Sequence, residues 1–265
     1  MLHVNIFLLT YNDAVKELNQ AETIDKYMDN IQESYTNSYA RNKSIYTPLK
    51  LSNNTFDKYA SILQHNIIQL GDKIPPVKRA HIIILEESAD NGLPHTRPNN
   101  IICLPSNIFK QSDKQREEVL FHELVHIYQR ENPIDIESFY KNGWKYIKST
   151  MDIVEGDRIN PDAMDIYAVN VGELWLIRPR FLRKDAAKLT DIRMTYNNLK
   201  TGEMTVIMPA DVKQFFGDSI SQSAFEHPNE MMAYMWTNIY YNGIKPETNA
   251  EYILKVWLDK YVYSK

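Results

Sequence analysis

His122 and His126 stand four residues apart in Val119-Leu-Phe-His-Glu-Leu-Val-His-Ile-Tyr128. On a helix that spacing projects both imidazoles from one face, one turn apart. Two imidazoles so placed reach a single zinc ion at about 2.0–2.1 Å and leave room for a third ligand and a water. Glu123, beside the first histidine, is placed to take a proton from that water rather than to bind metal. Val119, Leu120, Leu124, Val125, Ile127 and Tyr128 carry no charge, and neither proline nor glycine interrupts the run. A solvated helix carrying the same pattern by accident would show charges there. The competing reading is a core helix with two satisfied histidines.

A second stretch, Phe225-Glu-His-Pro-Asn-Glu-Met-Met-Ala-Tyr234, holds the candidate third ligand. Pro228 opens a helix, Glu230 falls in its first turn, and Met231, Met232, Ala233, Met235 and Trp236 make the rest apolar. A carboxylate entering an apolar helix needs a charge partner, because stranding it alone is very costly; a zinc ion is one. Glu155, in Ile153-Val-Glu-Gly-Asp157, is the rival and lies closer to the histidines in sequence. His227 and Tyr234, one turn before and after Glu230, are candidate donors to an oxyanion. Against that stand a capping role for His227 and a core role for Tyr234. Asp162 is a further candidate to orient a ligand imidazole, or a plain turn residue after Pro161.

Residues 119–128 resemble the extended active-site consensus of the zincin metallopeptidases. Asn229-Glu-x-x-Ala233 is similar to the ligand helix of the gluzincins, where the glutamate is the third ligand. The metzincin continuation asks for glycine at 129 and histidine at 132, where this protein has Gln129 and Asn132. A thermolysin-like spacing puts glutamate near 146, which is Tyr146. Glu230 follows His126 by 104 residues, so the resemblance implies an inserted block over 134–225. The family's frequent aspartate four residues past the ligand glutamate is Tyr234 here, so support for a ligand imidazole must come from elsewhere.

The resemblance implies an α+β, zincin-like fold: a small mixed sheet with an edge strand over the motif helix, then a mainly helical C-terminal part. It makes Asn100–Leu104 the edge strand that pairs with an extended peptide or protein substrate. It implies one zinc ion per chain and hydrolysis of peptide bonds by a zinc-activated water, with Glu123 as general base. Two other classes remain open. One is a zinc hydrolase of a non-peptide amide, in which a deformylase-like reading recruits Cys103 as a ligand. The other is a non-catalytic binding protein stabilised by zinc.

The motif helix is delimited by its own chemistry. Ser112 and Gln115 form a capping-box pattern, Asp113 suits the helix dipole, and Asn132-Pro133 stops the helix, giving about 113–131. Helical spacing also predicts helices over Ala21–Tyr39, over Phe56–Leu70 and over Ile134–Ile147, the last weakened by Gly143. Met1–Thr10 reads as a first strand, Ala80–Leu85 as a buried strand, and Asn100–Pro105 as an edge strand closed by proline. His81 reads as a solvated or core-edge residue, with a zinc ligand as the alternative. Glu173–Arg178 and Asp191–Tyr196 read as strands, with a hairpin through Gly202 to Glu203–Met208. A division into 1–133 and 134–265 fits this order, although no linker or repeat forces one.

Composition bounds the rest. The 265 residues suffice for one large or two modest cores, and a net charge of −4 with mixed signs gives no nucleic-acid footprint. A single cysteine, Cys103, excludes an internal disulfide framework and fits a reducing compartment. No apolar run approaches the roughly 20 residues of a membrane span, and the N-terminus lacks a basic leader pattern, so a cytoplasmic location is expected.

Overall fold

A computed structural model describes residues 5–28, 46–152, 154, 156–158, 160, 165–182, 191–218 and 220–264. Glu155, Asp162 and the 29–39 portion of the helix expected over Ala21–Tyr39 lie outside them. The described residues fall into two compact units, one up to Glu131 and one from Asn132 onward. The protein is mixed α+β.

In the N-terminal unit, β1 (Asn5–Leu8), β2 (Arg79–Leu85), β3 (His95–Arg97) and β4 (Ile101–Pro105) form one sheet in the order β1-β2-β4-β3. β1 and β4 run parallel to β2, and β3 pairs antiparallel with β4. The unbroken apolar runs of β2 and β4 suit strands covered on both faces. On one side α1 (Tyr11–Asp25) packs Ala14, Leu18 and Ala21 against Ile83, Leu85, Ile101 and Cys103. Thr10 caps its start, and Lys26, in the left-handed conformation, ends it. Of the helix expected over 21–39, Tyr27 and Met28 are helical, and Ala21–Asp25 belongs to α1, which begins at Tyr11. Its buried positions are two alanines and one leucine, a weak apolar signal, whereas Ile24 faces outward.

The helix read at 56–70 is α2 (Asn53–Leu70), and the motif helix is α3 (Asp113–Glu131). The two pack together, and the fully buried Asn66 bonds Asp113, Glu117 and Arg116. The Ser112–Gln115 capping box is formed.

One expectation is overturned. The strand over 100–104 is not an edge, because β4 lies inside the sheet between β2 and β3. Pro105 is tolerated because it sits at the last rung, opposite Leu85, where little of the ladder remains. The edge is β3, and its three residues are themselves buried. Arg97 of β3 ties that edge to α1: its Nε donates to Asp25 at 2.6 Å and its Nη2 donates to Glu22 and Asp25, both at 2.8 Å.

The C-terminal unit combines its helices with a sheet larger than the hairpin expected there. It contains a five-stranded antiparallel sheet, β5 (Tyr146–Lys148), β6 (Tyr167–Asn170), β7 (Leu174–Phe181), β8 (Ile192–Asn198) and β9 (Met204–Thr205), in sequence order. The helix expected over 134–147 is α4 (Pro133–Asn142), and Ile147 belongs to β5. Gly143 ends α4 where a Cβ would stand 2.9 Å from the Phe139 carbonyl oxygen, a contact only glycine avoids. Trp144, fully buried just beyond it, donates from Nε1 to the Ala250 carbonyl at 3.0 Å. Among the described residues three further α-helices follow, α5 (Ala210–Phe216), α6 (Pro228–Trp236) and α7 (Asn249–Tyr261). Met231, Met232, Ala233, Met235 and Trp236 of α6 are fully buried, as their apolar run demands.

Candidate metal centre

The charged first turns of α3 give way to an apolar segment in which Leu120, Phe121 and every residue from Glu123 to Gln129 are buried. His126 and Glu123 are buried and His122 is half-buried. The imidazoles of His122 and His126 turn their Nε2 atoms toward each other at 3.1 Å. Two nitrogens bound tetrahedrally to one zinc would stand about 3.3 Å apart, given Zn–N bonds near 2.0–2.1 Å.

Gln129 was absent from the sequence-based site, yet it contacts one of the candidate ligands. Its side-chain oxygen lies 2.8 Å from His126 Nδ1. Accepting the Nδ1 proton fixes the tautomer that leaves the Nε2 lone pair for a cation. In the sequence, position 129 stands out only as a departure from the metzincin glycine. The signal available was its i+3 spacing from His126, which places both side chains on one face.

Glu230 sits in the first turn of α6 and is half-buried. One ligand atom from each of His122, His126 and Glu230 lies within 4.8 Å of the others, a grouping that can hold a metal ion. Two imidazoles and one carboxylate are a zinc donor set, so the residues fit the metal. Cys103 stands apart from this group, fully buried inside β4, with the Tyr46 hydroxyl 3.7 Å from its sulfur. His81 is also outside the group, half-buried in β2.

Within the C-terminal unit, Tyr140 supports the start of α6. Its hydroxyl donates to Asn229 Oδ1 at 2.8 Å, next to Glu230 in sequence. Burial, with further contributions from Tyr167, Tyr146 and the negative charge of Glu230, pushes the Tyr140 hydroxyl well above its usual range. It therefore remains a donor at any physiological pH. Tyr140 was not singled out from sequence because it reads as an ordinary apolar-face residue of α4.

His227 occupies the capping position: its Nδ1 accepts from the Asn229 N–H at 3.0 Å. It is buried, with the Tyr167 ring 5.2 Å away. Tyr234 is half-buried one turn after Glu230. Among the described residues no helix is long and apolar enough to cross a membrane.

No family model, curated protein or solved structure matches this sequence.

Proposed function

We propose that this protein is a zinc-dependent peptidase of the gluzincin kind, with His122, His126 and Glu230 as the metal ligands. The observation that carries the reading is the convergence of those three side chains, two from a His-Glu-x-x-His helix and one from a distant helix start. A zinc ion held there would act as a Lewis acid, polarising a substrate carbonyl and making a water more acidic. Glu123, buried beside His122, takes the proton of the attacking water and returns it to the leaving amine. Gln129 holds the His126 ring in its ligating tautomer. Tyr140, through Asn229, steadies the turn that presents Glu230. His227 and Tyr234 are the residues proposed to donate toward the oxyanion.

The deciding experiment compares the native protein with Glu123→Gln on a mixture of unstructured peptides, reading products by mass spectrometry and zinc by metal analysis. Cleavage by the native protein and zinc retained without cleavage in Glu123→Gln are expected. Equal cleavage by both would remove Glu123 from the mechanism. No cleavage by a zinc-loaded native protein would remove the peptidase reading.

A further inference from the structure

A recess in the C-terminal unit is lined by Tyr146, Arg158, Asn160, Tyr167, Arg178 and His227, among others, and encloses about 570 Å³, its open mouth included. Arg178, on β7, lines it and is 5% exposed. Its Nη1 donates to Asp157 at 2.5 Å. Its Nε and Nη2 have no hydrogen-bond partner among the described residues. Those two N–H groups lie along one edge of the guanidinium and point the same way, the arrangement that fits both oxygens of a carboxylate.

The other charges in the wall are already matched. Asp157 faces Arg180 as well as Arg178, Glu226 pairs with Arg158, and Asp165 pairs with Lys148. The unsatisfied charge-bearing edge belongs to Arg178 and asks for an anion. Three fixed carboxylates in the same wall oppose a doubly charged phosphate more strongly than a singly charged carboxylate. His227 both lines the recess and caps α6, so a group held here lies along the same short segment that carries Glu230.

We propose that Arg178 binds a carboxylate of the ligand in this recess, supplied by an acidic side chain or by the C-terminus of a peptide. That the ligand is a peptide rests on the peptidase reading; the carboxylate preference does not. The test is calorimetry on the metal-free protein with four N-acetylated tetrapeptides, plus inorganic phosphate. One pair differs only by glutamate against glutamine with the C-terminus amidated. The other is a neutral peptide with a free against an amidated C-terminus. In at least one pair the acid should bind tenfold or more tighter than its amide, and the pair that discriminates names the source. Arg178→Lys, which keeps the charge and loses the paired edge, should bring that ratio close to one.

If Arg178→Lys does not fold, the Arg178 Nε–H resonance of the native protein replaces it, and should shift on adding the preferred acid. Acid and amide binding alike, phosphate binding more tightly than either acid, or discrimination kept in a folded Arg178→Lys overturns the proposal. Binding is read without zinc or turnover, so this result stands apart from the fate of the peptidase reading.

Discussion

His126 Nδ1 lies 2.8 Å from the Gln129 side-chain oxygen, three residues on along the same buried helix. That contact decides which ring nitrogen carries the proton and which is left for a metal. The partner comes from within the motif helix itself, three residues along.

Replacing Gln129 by methionine keeps its bulk and removes the acceptor. Zinc affinity should fall by about 10- to 100-fold with the thermal midpoint little changed, as read by competition with a chromophoric chelator. An unaltered affinity would separate Gln129 from the metal site.

Glu123→Gln is isosteric and removes only the proton acceptor. Turnover should fall by about 10²- to 10⁴-fold while zinc content stays at the native level. Loss of zinc together with activity would instead make Glu123 part of the metal's support.

The Asp211 carboxylate joins α5 to the second sheet, accepting from the Glu173 N–H and from Trp175 Nε1, each at 2.9 Å. Burial raises its pKa, but these bonds and one from the Val212 N–H outweigh it and hold the carboxyl below the usual range. A lowered value stabilises the fold above the unfolded-state pKa, near 3.9, and that contribution is lost as pH falls through the folded value. Asp211→Ala should cost about 1–3 kcal/mol at neutral pH in urea unfolding, and the deficit should shrink below about pH 4. A deficit independent of pH would assign the loss to packing rather than charge.

Arg97, with a side chain only 1% exposed, neutralises Glu22 and Asp25 across the sheet edge. Arg97→Met leaves those carboxylates facing an apolar group, and a loss of about 3–5 kcal/mol is expected from denaturant unfolding. A change under about 1 kcal/mol, the range of exposed pairs, would mean that solvent reaches them.

What was legible in the sequence was what local chemistry determines. The motif helix begins at a capping box and ends before proline, so both its ends were readable. Glu230 was readable because a carboxylate at the mouth of an apolar helix is an electrostatic demand that few arrangements meet. Sheet order was not readable: β3 is three residues, His95, Thr96 and Arg97, inside a turn-rich loop with no apolar alternation. Its pairing with β4 is what turns an expected edge into an interior strand. β5 and β6 escaped for a related reason, being short strands whose partners are fixed by tertiary pairing. Gln129 was hidden by its mismatch to a family pattern, although its spacing from His126 was already in view.

The most direct measurement is zinc-edge X-ray absorption on protein purified after zinc-replete expression, with Glu230→Gln alongside. About one zinc per protein molecule is expected, with two imidazole nitrogens at about 2.0–2.1 Å and carboxylate oxygen at about 2.0–2.2 Å. Glu230→Gln should keep the imidazole pair and lose that oxygen contribution or the metal itself. A native protein without zinc, or one whose zinc environment is unchanged by Glu230→Gln, would contradict the assignment of His122, His126 and Glu230 as the ligand set.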